Sequence, residues 1–165
     1  VTGVSIRNCT VAGHALDGIT LLGTDSEVVD TIVHDCGCAG IRAHGGNDTL
    51  LTPGNVSVLR NEIYDVAQWK RTYTPGIHWG GISNTYSHNT VHKLPHNCFL
   101  GGGNEVKQVQ PGGATYEQAD GKDGWYNYPA VATANNSFEF NVLDGCGYEC
   151  DDTGGFCEFA TSREG

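Results

Sequence analysis

Methionine is absent from the 165 residues, and no apolar run approaches the roughly 18 residues that a membrane-crossing helix needs. No charged-then-apolar leader precedes the first polar stretch, so neither a signal peptide nor a membrane span is expected, and the chain reads as soluble and as mature or excised. Basic residues are scarce: 9 Lys and Arg face 19 Asp and Glu, a formal charge of −10. That balance opposes a phosphate backbone and leaves no basic stripe for counterion release, which argues against nucleic acid as a partner. The seven cysteines contain no Cys-x-x-Cys pair and the seven histidines no His-Glu-x-x-His motif, so no metal and no cofactor is expected. The Gly101-Gly102-Gly103-Asn104 run lacks the Lys-Ser/Thr of a phosphate loop. Strong helix formers are thin, whereas glycine, at 24 residues, is about twice as frequent as usual. Turns are therefore favoured over helices.

What is present is a repeat. From Asn55 to Asn104 the chain states one pattern twice. A short alternating run ends in Asn-x-apolar (Asn61 to Ile63, Asn89 to Val91), a polar excursion follows, and a second apolar run closes on glycines (Ile77 to Gly81, Phe99 to Gly103). With Asn61 as the register mark, the pattern extends to Asn8, Asp30, Asn61, Asn89 and Asn141, spaced 22, 31, 28 and 52 residues apart. Each mark precedes a pair in which an apolar residue follows a small one: Gly18-Ile19, Gly40-Ile41, Gly76-Ile77, Cys98-Phe99 and Gly155-Phe156. Strands this short cannot bury a face alone and must stack on copies of themselves. Parallel stacking places equivalent positions about 4.8 Å apart, so the Asn amides would form a ladder and Ile, Val and Leu apolar columns. Asn also favours turns in general; its recurrence two residues before an apolar position favours the stack.

These Asn-x-apolar and Gly-Ile pairs resemble the right-handed parallel β-helix repeat families over nearly all of the chain except residues 105–134. Within that group, Asn61 to Asn104 and Asn141 to Gly155 look like polysaccharide-active members of the kind grouped in glycoside hydrolase family 141. The resemblance implies an all-β, right-handed parallel β-helix of about five rungs. Residues 1–165 would be one segment of a longer chain or would meet neighbouring subunits, with 105–134 an inserted loop and a polysaccharide or other glycan as partner. It also implies that Asp152, in an Asp-small-Gly segment, supplies a catalytic carboxylate.

Glu149, Asp151 and Asp152 crowd in front of a glycine-started strand, Gly154-Gly155-Phe156. Neighbouring carboxylates push their pKa values apart, as acid/base chemistry on a glycosidic bond requires. Asp151 and Glu158 are the candidate partners of Asp152; a solvated acidic turn or a calcium ligand set is the plainer alternative. Arg42 and His78 occupy comparable places on neighbouring strands and are candidates for orienting substrate, with His44 two residues beyond Arg42 on the same side. Trp79, Trp125 and Tyr126 are candidate sugar-contacting aromatics, and Trp69, Lys70, Arg71 and Tyr73 share one loop. An aromatic in such a loop could equally cap an apolar column. Four Asn-x-Ser/Thr sequons and the cysteines suggest a secreted or extracellular glycoprotein, with Asn47, Asn55 and Asn135 expected to carry glycans and Asn8 held inward on the ladder. Cys98 and Cys150 each lie nine residues after their marks, so stacking would let them bond, with Cys146 a competing partner for Cys150. The alternative to an active enzyme is a non-catalytic structural or adhesive rod.

Overall fold

The computed structural model describes residues 1–47, 50–102, 133–151 and 153–159; the loop read at 105–134 thus lies almost wholly outside the described residues. Among the described residues, fifteen short strands form three parallel five-stranded sheets and there is no helix. Sheet 1 holds β1 (Ser5–Arg7), β4 (Glu27–Val29), β7 (Ser57–Leu59), β10 (Thr85–Ser87) and β13 (Ser137–Glu139). Sheet 2 holds β2 (Thr10–Ala12), β5 (Ile32–His34), β8 (Glu62–Tyr64), β11 (Thr90–Leu94) and β14 (Val142–Cys146). Sheet 3 holds β3 (Ile19–Gly23), β6 (Ile41–Gly45), β9 (Ile77–Gly81), β12 (Phe99–Gly102) and β15 (Phe156–Phe159). One strand from each sheet makes a rung, and five rungs stack into a parallel β-helix.

Alternation along each strand sends one set of side chains into the coil. The middle of sheet 1 stacks Ile6, Val28, Val58, Tyr86 and Phe138 in register. The middle of sheet 2 stacks Val11, Val33, Ile63, Val91 and Leu143, and sheet 3 contributes Ile19, Ile41, Ile77, Phe99 and Phe156. In the three inner rungs these residues are almost fully buried, each stabilising the coil by about 1.5–3 kcal/mol relative to exposure. Trp79 belongs to the same interior, and the residue stacked on it is Gly101. A Cβ on Gly101 would lie 2.7 Å from the Trp79 ring, so only glycine leaves room for it.

Polar ladders close the turns. Between sheets 1 and 2, Asn61 N donates to Asn89 Oδ1 (3.0 Å) and Asn89 N to Asn141 Oδ1 (2.9 Å), while Thr31 N donates to Asn61 Oδ1 (3.0 Å). The Asn89 amide also donates to Val58 O and to Asn141 Oδ1. Between sheets 3 and 1, a second ladder runs through Ser26, Val56, Asn84 and Asn136. The bonds that join successive rungs span 22, 30, 28 and 52 residues.

The first two register marks are off by one. The ladder positions in those rungs are Cys9 and Thr31; Asn8 and Asp30 stand one residue earlier, in a column with Arg60, His88 and Phe140 whose φ values run from 51° to 58°. That left-handed column also selects Asn and Asp, which is why it mimics the ladder. Asn8 is exposed, so the reason for excluding it from glycosylation is gone. The disulfide differs too: Cys98 bonds Cys146, with α-carbons 5.6 Å apart, and Cys150 is a free thiol. Residue counts from the marks fail here because the turn at 147–155 is longer than its stack neighbour at 95–98.

Candidate functional site

The outward positions of sheet 3 gather the most chemistry. Thr20, Arg42, His78 and Leu100 follow one another in register, one per rung, and His44 lies on the same side of β6, paired with Gly80. Arg42 and His78 are therefore neighbours about 4.8 Å apart along the stack. Arg42 Nε meets Asp17 Oδ2 at 2.7 Å, with both side chains mostly buried. Asp17 is fixed in turn, its Oδ1 accepting from Ala39 N at 3.0 Å. The sequence offered Arg42 but not this partner; the Asp17-Gly18 step just ahead of β3 was the available signal.

His78 is 6% exposed although its strand position faces away from the coil interior. Burial pushes its pKa well below the ordinary imidazole value, and the charges of Arg42, His44 and Lys70 push it the same way. The imidazole is consequently neutral at neutral pH, carrying one N–H donor and one lone pair.

The other candidates fall elsewhere. Trp79 follows His78 directly and so faces the opposite way: it is buried inside the coil, 4.8 Å from the Phe138 ring and 5.7 Å from the Phe156 ring. That position corrects its reading as a substrate contact. Asp151 is exposed, while Asp152, Trp125 and Tyr126 lie outside the described residues. Glu158 stands on β15, in register with Gly101. Glu149 is tied up by a two-pronged ion pair with Arg71, whose hydrogen bonds hold its carboxyl below the usual carboxylate range. Asn47, Asn55 and Asn135 are exposed, and the amides of Asn55 and Asn135 donate to Asp25 and Ser83 on the rung before. Among the described residues no group of three or more His, Cys, Asp or Glu side chains is placed to hold a metal ion.

No family model matches the chain, and no curated protein does. Among solved structures, the fold is similar to the A-module of the mannuronan C-5 epimerase AlgE4 of Azotobacter vinelandii, with a TM-score of 0.56 and 15% identity. The match covers 92% of this chain and 36% of that one, so this chain spans about a third of its structural neighbour. The parallel β-helix is thereby shared with a known fold. The narrower resemblance to glycoside hydrolase family 141 gains no support.

Proposed function

We propose that this β-helix handles an acidic polysaccharide on the outer face of sheet 3, with Arg42, Lys70 and His78 meeting the carboxylates of uronate units. The observation that carries this reading is His78: an outward-facing, buried imidazole in register with Arg42 on the neighbouring strand, with Lys70 near enough for its charge to act on it. Cations beside it would offset the charge of a uronate, and the neutral imidazole is suited to take a proton from the carbon next to that carboxylate. The structural neighbour is named for C-5 epimerisation of mannuronan, a reaction at such a carbon. An extracellular setting accords with the Cys98–Cys146 bond and with exposed sequons.

Hydrolysis would rest instead on Asp152 with Asp151 or Glu158, and the two chemistries separate by mutation. His78→Gln keeps the size and a hydrogen-bonding head but removes the base, and Asp152→Asn removes the carboxylate. On a polyuronate that the protein modifies, we expect His78→Gln to lower turnover by about 10²-fold or more and Asp152→Asn to leave it within a few-fold. The reverse pattern would establish the carboxylate route. A wild-type protein that bound and modified no glycan would leave a structural rod.

A further inference from the structure

The turns from sheet 2 to sheet 3 carry a second feature, separate from the His78 face. Among the described residues, every exposed Trp and Tyr lies on this one edge: Trp69 (76% exposed), Tyr73 and Tyr148 (57%). An exposed aromatic on a loose loop means little, but these loops are pinned. The amides of Ala67, Gln68, Trp69 and Lys70 donate to Cys38 O, Cys36 O and twice to Gly37 O, at 2.8 to 3.1 Å. From the far side, Gly147 N donates to Leu94 O and Glu149 N to Pro95 O. Arg71 then grips both oxygens of Glu149 across 78 residues of sequence, passing over the short turn at 95–98. That turn is covered by Tyr73, whose ring lies 5.0 Å from the His96 ring. Two exposed aromatics therefore stand on fixed supports in rungs 3 and 5, about 10 Å apart along the stack.

Phenol and indole rings present a flat apolar face and a polar edge, which matches a pyranose ring with its C–H face and its hydroxyl rim. The ridge also adjoins the proposed binding face: Lys70, next to Trp69, is one of the cations acting on His78. We infer that the ridge of Trp69 and Tyr148 is a second, non-reacting subsite on which successive sugar units of a polysaccharide stack before the chain reaches the outer face of sheet 3. The inference rests on the acidic-polysaccharide reading. The Arg71–Glu149 pair ties the two loops together, so binding has only the two aromatic side chains to order and not their backbones.

Calorimetric titration of the folded protein with a uronate disaccharide and with a long oligomer of the same uronate tests it. Trp69→Ala should weaken the long oligomer about tenfold or more, leave the disaccharide unchanged, and leave the thermal midpoint unchanged because the side chain is exposed. Trp69→Phe should bind nearly as the wild type. Long-oligomer affinity unaltered by Trp69→Ala would overturn the subsite while leaving the His78 face intact, provided His78→Gln still weakens the disaccharide. Equal weakening of both ligands by Trp69→Ala would place Trp69 in the principal site and refute a separate one. No binding by the wild type would overturn both proposals together.

Discussion

Asn89 is the residue most tightly woven into the coil. It is fully buried, its Oδ1 accepts from the backbone and side-chain nitrogens of Asn61, and its Nδ2 donates to Val58 O and Asn141 Oδ1. Asn89→Ala strands the two Asn61 donors and the Val58 carbonyl away from water, so the expected loss is about 3 kcal/mol, read as a drop in the urea midpoint; a loss under about 0.5 kcal/mol would mean that water reaches the turn. His78 has the opposite character, buried but with a cost that depends on pH. Its folded pKa lies below the unfolded value of about 6.5, so the unfolded chain binds the proton first. Stability is complete above that value and falls as pH drops from it towards the folded pKa. His78→Gln should flatten this part of the stability profile, and an unaltered slope would show that the imidazole is not held neutral. The amide repeat of Asn61, Asn89 and Asn141 was legible because one residue type does one job three times. Asn8 and Asp30 misled because the neighbouring left-handed position draws the same side chains, and the true ladder residues, Cys9 and Thr31, carry no amide.

At the scale of strands and turns, the small-apolar pairs placed the start of every sheet 3 strand correctly, since packing fixes the first inward residue there. A Cβ on Gly76 would meet Val91 Cγ1 at 2.3 Å, so the close approach itself enforces the pair. Turn lengths were not legible, and the disulfide suffered from it. The bond found joins the last two rungs across 48 residues. Closing a loop of that length restricts the unfolded chain by about 4 kcal/mol, so Cys146→Ala should lower the unfolding free energy by up to that amount. Non-reducing peptide mapping should recover Cys98 with Cys146; a Cys98–Cys150 peptide would contradict the register of β11 on β14. The Trp79 error has the same origin at closer range. Once His78 faces outward, alternation in a strand sends the next residue inward, and the sequence alone did not say which of the two would be which.

For the whole molecule, the composition already favoured turns over helices, and the stack follows from strands too short to stand alone. The proposed function depends on something composition hides: an acidic protein that sets Arg42, His44 and His78 on one sheet face and brings Lys70 near them from a turn. Sequence reasoning put Arg42 and His78 at equivalent places on neighbouring strands, and the strand register agrees. It missed Asp17 and the reach of Lys70, because both come from turns whose paths the repeat does not determine. The most direct measurement is calorimetric titration of the wild-type protein and of His78→Gln with a polyuronate, at low and moderate salt, beside a neutral glucan. The account predicts that the wild type binds the polyuronate and not the glucan, that binding weakens as salt screens the charges, and that His78→Gln lowers the affinity about tenfold or more. Equal affinity for the neutral glucan, or polyuronate binding indifferent to both salt and His78→Gln, would contradict it.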